Sequence, residues 1–434
     1  MLCAETSNPL PRARIYNARF CVTRGRSAGT RDTHATASYS ASTRNFTITP
    51  SAALPASSTF YVVVEGLGCV PTSTCLTGVR DSSNLPLSDT AGVGIQQFLR
   101  MFKTADPTVL SWNSGPPPAP MLTARREFGA VTVNGIYYAV GGIKTDNTVT
   151  NVLEKYDPAT NVWSVLAPMP ASRHAPAVAA YGNRIFVFGG STGTVAGWSQ
   201  NVYIYNTSNN TWTTGPNMPR ARGYVAAAEL NGKIYLAGGT CQVSCSFGNQ
   251  PLTLVEVYTP NSTTGTWTAT NGTGVAQLTV ARDSHTLTAA NGRLWAVGGS
   301  GAAGNAMEYF TPNTGNGTWT SSHSASYAVT NAAMVLPSGR SLHGAGVMNG
   351  YLNIVGGLQA GLGPTNTVYA YDPIALGAGS WSTLTPMPTA RHAFGGSVGT
   401  LVSGNPPVTR FIAAGGSLTT SGGITDTVDS GAGG

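Results

Sequence analysis

ARREFGAVTVNGIYYAVGG, residues 124–142, is the stretch on which the reading of this chain turns. Arg125 opens it, a run of small residues follows, and a second apolar run closes on the pair Gly141-Gly142. The same arrangement returns five times, with doublets at Gly189-Gly190, Gly238-Gly239, Gly298-Gly299, Gly356-Gly357 and Gly415-Gly416. The arginines before them are Arg173, Arg222, Arg282, Arg340 and Arg391. In the first five copies the step from arginine to second glycine is 17 residues, and in the sixth it is 25. So constant a ruler marks one supersecondary unit copied around a ring.

After each doublet comes a second pattern. NVLEKYDP (151–158), NVYIYNTS (201–208), LVEVYTPN (254–261) and NTVYAYDP (366–373) alternate in period two and end on turn residues, as a strand entering a tight turn does. A tryptophan follows, at Trp163, Trp212, Trp267, Trp319 and Trp381, and a Met-Pro or equivalent turn leads to the next arginine. Four strands in roughly 50 residues make one propeller blade.

The doublet, the tyrosine and the tryptophan at this spacing identify a resemblance: residues 106–434 resemble the kelch-repeat β-propellers. The resemblance implies an all-β, six-bladed kelch-type ring. The strand after each arginine (FGAVTV, PAVAAY, YVAAAEL, GAGVM, FGGSVG) is rich in small residues, as an innermost strand crowding the axis must be. Five tryptophan strands follow six doublets, so the sixth is TVLSWNS around Trp112, ahead of the first arginine. That strand is expected to close the ring by pairing near ITDTVD (424–429), removing an open edge. The last copy lacks its tyrosine and drifts into glycine, so it should be the least stable. Long connections, CQVSCSFGNQP (241–251) and GTLVSGNPPVT (399–409) among them, are where a binding function or neutral drift would be found.

Charged residues make up only 9% of the chain, against roughly 25% in ordinary soluble proteins, while 41% are hydrophobic. The formal charge of +7 comes from scarce acids rather than abundant bases: 24 Lys+Arg face 17 Asp+Glu, without a run of like charges. A nucleic-acid partner is therefore not expected. No run of 18 apolar residues exists, so no membrane-spanning helix is expected. The six cysteines fall as Cys3, Cys21, Cys69, Cys75, Cys241 and Cys245. Their even count and paired spacing favour disulfides Cys3-Cys21, Cys69-Cys75 and Cys241-Cys245 and an oxidising compartment over zinc, because no histidine stands at ligand spacing. The opening MLCAETSNPL lacks the basic and apolar regions of a secretion signal, so Met1 is expected not to be the natural start.

Residues 1–105 differ in kind. ASYSAS, NFTITPS and STFYVVVEG alternate in period two, and QFLRMFKT (97–104) reads as a last strand. The segment resembles the bacterial Ig-like domains of surface proteins, with two upstream strands missing. Either the natural chain is longer, or another subunit supplies the strands by β-strand addition and the protein is a filament subunit.

The six arginines lie just before the innermost strands and so should ring one mouth of the channel. As ligand groups they would hold carboxylates or sulfated sugars; the kelch resemblance implies instead that they bond loop carbonyls. His174, His285, His343 and His392 follow arginines at differing offsets, which argues against a shared metal site. Some kelch propellers resemble galactose oxidase, a copper enzyme, but Cys241 and Cys245 are spaced to pair with each other, so neither metal nor cofactor is expected. NSTTGTWT (261–268) and NTGNGTWT (313–320) are similar to the sialidase Asp-box turn but lack its aspartate. Asn45, Asn206, Asn209, Asn261, Asn271 and Asn316 stand in glycosylation sequons. The composition, cysteines and Ig-like resemblance lead to an expectation of a non-enzymatic extracellular or cell-surface protein, adhesive or structural. The alternative is a secreted carbohydrate-active or galactose-oxidase-like enzyme using the propeller mouth.

Overall fold

The structure, a computed structural model, describes the backbone of six strands between residues 2 and 103, the strand Leu110–Trp112, and residues 117–433 apart from 194–196, 242–249, 271–272, 302–303, 314, 349, 374–378, 380, 398–409 and 421. The chain divides into two compact units, Met1–Asp106 and Pro107–Gly434. In the first, Leu2–Glu5, Ala18–Arg24, Thr59–Gly66 and Gln97–Lys103 form one antiparallel sheet, and Ala35–Ser40 pairs with Asn45–Pro50. Cys3 stands opposite Cys21 in this register, a cross-strand placement that a disulfide can span. Cys69, Cys75 and Cys245 lie outside the described residues; Cys241 is fully buried and disulfide-bonded.

In the second unit each repeat folds into four consecutive antiparallel strands. Repeat 1 runs Gly129–Val133, Ile136–Val140, Leu153–Asp157 and Val162–Val165. Repeats 2, 3 and 4 begin on Ala177–Tyr181, Ala226–Leu230 and Thr286–Ala290 and pair in the same order. The second strand of every repeat is almost wholly buried, as in Arg184–Phe188 or Arg293–Val297, because neighbouring sheets cover both its faces. Hydrophobic clusters accordingly form between successive repeats; one joins Leu294 and Phe310 of repeat 4 to Ala226 and Val255 of repeat 3.

The six separate sheets expected from the repeat count are five. Four are four-stranded and the fifth has eight strands. Half of that fifth sheet is repeat 5: Trp381–Leu384, Val368–Tyr371, Tyr351–Val355 and Gly344–Met348. The other half is Gly395–Ser397, Arg410–Ala414, Val428–Gly433 and Leu110–Trp112. A single parallel pair, Ala345 with Ser397, joins the halves. Glycine explains the fusion: Gly344, Gly346, Gly395 and Gly396 leave little side chain to hold the two inner strands apart. Leu110–Trp112 lies against Gly431, Ala432 and Gly433, and the Trp112 indole donates to the Thr385 carbonyl at 3.0 Å.

Two closed circuits of backbone hydrogen bonds run around the axis. The residues two after each arginine are Glu127, Ala175, Tyr224, Ser284, Leu342 and Ala393. Each donates its N–H to the carbonyl of the equivalent residue one repeat earlier, and Glu127 closes the circuit on Ala393 at 2.7 Å. All six hold φ between 49° and 54°, a left-handed conformation that costs a non-glycine residue about 1 kcal/mol or more. The second circuit joins the second glycine of each doublet to the carbonyl of the next arginine, from Gly142 to Arg173 through to Gly416 to Arg125 at 2.9 Å. Here glycine is required: Gly142 has φ +106°, and a Cβ on it would stand 2.8 Å from the Arg126 carbonyl oxygen.

Candidate functional site

The arginines are not ligand groups facing a mouth. All six are buried, with 0–3% of their surface exposed. Four guanidiniums donate to the first-glycine carbonyl of their own doublet: Arg222 to Gly238 at 2.8 Å, Arg282 to Gly298 at 2.9 Å, and Arg340 to Gly356 and Arg391 to Gly415 at 3.0 Å. Arg125 reaches the Ala139 carbonyl at 3.1 Å, and Arg173 donates to Ser172, Ser199 and Asn201. Four are also paired with buried carboxylates: Arg125 with Glu154, Arg222 with Glu256, Arg282 with Glu308 and Arg391 with Asp429, at 2.6–3.1 Å. In repeats 2 and 5 a tyrosine ring takes the place of the acid, with Tyr203 5.6 Å from Arg173 and Tyr369 4.7 Å from Arg340. Burial pulls all six guanidiniums below their ordinary value, Arg340 to about 10.

Among the described residues a cavity of about 430 Å³ opens along the axis, walled by the inner strands and rimmed by the six-residue backbone circuit. Because the backbone of that circuit is fixed, the mouth differs around its rim only in side chains. Repeats 1, 3 and 4 contribute Glu127, Tyr224 and Ser284; repeats 2, 5 and 6 contribute Ala175, Leu342 and Ala393. The side from repeat 1 to repeat 4 is thus polar except for Ala175, and the side of repeats 5 and 6 is apolar.

On the polar arc the side chains form one connected group. Glu127 Oε2 accepts from the Tyr224 hydroxyl at 2.7 Å and stands 3.0 Å from His174 Nδ1; its other oxygen takes the Arg126 guanidinium. Burial works to raise the Glu127 carboxyl, but the bonds from His174 and Tyr224 and the Arg126 charge outweigh it and hold the acid below its ordinary value. Burial, then the Glu127 charge, push the Tyr224 phenol up. The Trp198 indole completes the arc, edge-on to Tyr224 at 5.6 Å and 6.3 Å from the His174 ring. Its six-membered ring packs against Gly223, where a Cβ would stand 1.8 Å from the indole. Asp283, which accepts from Ser300 at 2.5 Å, flanks the arc.

The four histidines separate as their offsets imply. His174 and His392 lie in the mouth loops, His392 Nε2 3.1 Å from the Thr419 carbonyl, whereas His285 and His343 line the cavity below. Among the described residues no group of three or more His, Cys, Asp or Glu could hold a metal ion. Asn209, Asn261 and Asn316 are exposed and Asn206 half-buried; the side chain of Asn45, and Asn271 altogether, lie outside the described residues.

Sequence reasoning overlooked Arg126, Glu127, Trp198, Tyr224 and Asp283. The available signal was variation within the repeat: beside an arginine that never changes, the residue two later reads Glu, Ala, Tyr, Ser, Leu, Ala. It overlooked the buried acids too, although LEKY, VEVY and MEYF carry them in register against VYIY and VYAY.

Two family models match the second unit: "KLHDC2/KLHL20/DRC7 Kelch-repeats domain" over residues 127–324 and "Kelch motif" over 339–388. The propeller is of the kelch type. Human Kelch-like protein 38 is 35% identical over 71 residues, 16% of this chain and 12% of that protein. The mouse influenza virus NS1A-binding protein homolog is 39% identical over 77 residues, 18% of this chain and 12% of its own. Beta-scruin of Limulus polyphemus is 34% identical over 88 residues, 20% and 10% respectively. The chain thus spans about a tenth of the length of these relatives, one or two repeats. Among solved structures, YjhT aligns with TM-score 0.53 at 16% identity, covering 71% of this chain and 95% of that one, a likeness of fold. No helix among the described residues is long and apolar enough to cross a membrane.

Proposed function

We propose that this kelch propeller is a binding module of an extracellular or cell-surface adhesive protein, and that its mouth takes a neutral glycan. The observation that carries the reading is the polar arc. A carboxylate, an imidazole, a phenol and a guanidinium converge beside the half-buried Trp198 ring, and two of them, Glu127 and Tyr224, line the concave site. Sugars offer vicinal hydroxyls to charged acceptors and donors and an apolar face to aromatic rings. The arginine circle, committed to internal acceptors, gives no support to a carboxylate or sulfate ligand. The low charge and paired cysteines support the location.

Residues 1–105 belong to this reading as an Ig-like module, with self-assembly by β-strand addition as its extension, and the two halves of the fifth sheet count as separate blades of a six-unit ring. A secreted carbohydrate-active enzyme is the second reading. It is favoured by the hydrogen-bonded series Tyr224–Glu127–His174, which can pass a proton.

The test is binding of the full chain to an array of neutral oligosaccharides, with Glu127→Gln and Gly223→Ala as variants. Both should fold, and both should lose about tenfold or more in affinity, the first by removing the charged acceptor and the second by displacing Trp198. An array on which the wild-type chain binds nothing overturns the reading; turnover of a bound sugar moves it to the enzyme.

A further inference from the structure

The residue two after each arginine has φ between 49° and 54° in every repeat, whether it is Glu, Ala, Tyr, Ser or Leu. The fold therefore does not require a leucine at this position in repeat 5. Leu342 is nevertheless half-buried and lines the axial cavity. The hydrophobic clusters that join repeat 5 to repeats 4 and 6 take in Ala345, Met348 and Phe394 and leave Leu342 out. A leucine outside the core and at a cavity wall offers its apolar surface to what the cavity holds.

The place of Leu342 on the rim gives that surface a direction. In a circuit of six it lies three steps from Ala175, so it faces across the mouth the segment that carries His174 and Trp198. Ser284 adjoins it on one side and Ala393 on the other. The apolar side continues into the loops above. The backbones of Ser341 and Leu358 exchange hydrogen bonds of 3.0 and 2.8 Å, and those of His392 and Ser417 do the same at 3.0 and 2.8 Å. These bonds root two hairpins one residue from Leu342 and Ala393. The hairpins carry Leu362 and Leu418, exposed at 81% and 39%.

We infer that the sugar unit held at the mouth carries a methyl group, as a 6-deoxyhexose or an N-acetylhexosamine does, and that Leu342 is the contact that selects it. The inference rests on the glycan reading of the mouth. A pyranose with hydroxyls toward Glu127, Tyr224 and Ser284 turns its other edge to Leu342 and Ala393. A hydroxyl on that edge would give up water and find neither donor nor acceptor in those two side chains. A methyl group there loses nothing and gains contact. One such group against an apolar wall is worth about tenfold or more in affinity. At about 430 Å³ the cavity has room for the unit and its substituent.

The test uses the full chain and matched versions of the best free oligosaccharide from the array. Its terminal unit is a parent hexose, the corresponding 6-deoxyhexose or the corresponding N-acetylhexosamine. At least one methyl-bearing version should bind about tenfold tighter than the parent, and the version that does so says which methyl is recognised. Leu342→Ser gives repeat 5 the residue that repeat 4 holds in the same conformation, so it should fold. It should shrink the preference to about twofold or less. No preference for either methyl-bearing version overturns the inference, and so does a preference that Leu342→Ser leaves intact. If Glu127→Gln still weakens all three versions alike, the mouth stands and only the methyl contact falls; if the wild type binds no oligosaccharide, both fall. Should Leu342→Ser fail to fold, Leu342→Ala, the residue of repeats 2 and 6, takes its place under the same criteria, and the wild-type comparison of the three versions decides on its own whether a methyl group is selected.

Discussion

Repeats 1, 3, 4 and 6 bury an arginine against a carboxylate; repeats 2 and 5 bury the same arginine against a tyrosine ring. The backbone around the two kinds is alike, down to the Gly238 and Gly356 carbonyls that receive Arg222 and Arg340 at 2.8 and 3.0 Å. The carboxylate is therefore not what the fold demands of its arginine. The demand is donors for carbonyls left over where the second and third strands part, and a guanidinium with five N–H groups meets it from one side chain. What the acid changes is the cost of losing the arginine, since a buried ion deprived of its partner is expensive.

The largest expected effect follows from that asymmetry. Arg222→Met removes the counter-charge of the Glu256 carboxylate in a fully buried site and should destabilise the propeller by about 3–5 kcal/mol in urea unfolding. Arg173→Met strands neutral acceptors only and should cost about 1–3 kcal/mol. Equal losses would break the comparison. Next comes acid. An unfolded histidine takes its proton near 6.5, whereas folded His343 resists until about 3. The unfolded state thus binds the extra proton, and stability, intact above pH 6.5, falls as pH drops toward 3 by up to about 1.4 kcal/mol per unit. His285 is shifted the same way and adds to the slope. His343→Phe should flatten its share, seen by comparing unfolding midpoints near neutral pH and in mild acid. Smallest is Tyr369→Phe, which keeps the ring over Arg340 and removes only the hydroxyl; about 0.5–1.5 kcal/mol is expected. A loss as large as that of Arg222→Met would mean the phenol, not the ring, stands in for the acid.

Much of the propeller could be read from residues alone because its signals are local. The doublets sit at positive φ, and five of the six tryptophans, Trp381 being the exception, anchor their strand to the preceding connection, as Trp163 does to Ala119 and Trp212 to Ala167 at 2.8 Å. The mouth was hidden because its geometry is tertiary. Ala175 and Leu342 have no intrinsic preference for the left-handed region; hydrogen bonds from neighbouring repeats hold them there. The arginines were visible, and spacing alone left open whether their side chains meet ligand or carbonyl; the kelch resemblance implied carbonyls, and the buried guanidiniums of Arg222, Arg282, Arg340 and Arg391 bond to them. The joining of repeats 5 and 6 into one sheet depends on a single residue pair, Ala345 with Ser397, which no periodicity reveals.

The circuit through Glu127, Ala175, Tyr224, Ser284, Leu342 and Ala393 has one further property. Peptide groups bonded head to tail in a line build up a dipole and leave a donor and an acceptor bare at the two ends. Bent into a circle, the same groups have no ends, and their dipoles cancel around the axis. The circuit therefore leaves no bare donor or acceptor of its own at the rim, and what varies from one repeat to the next around it is the side chain.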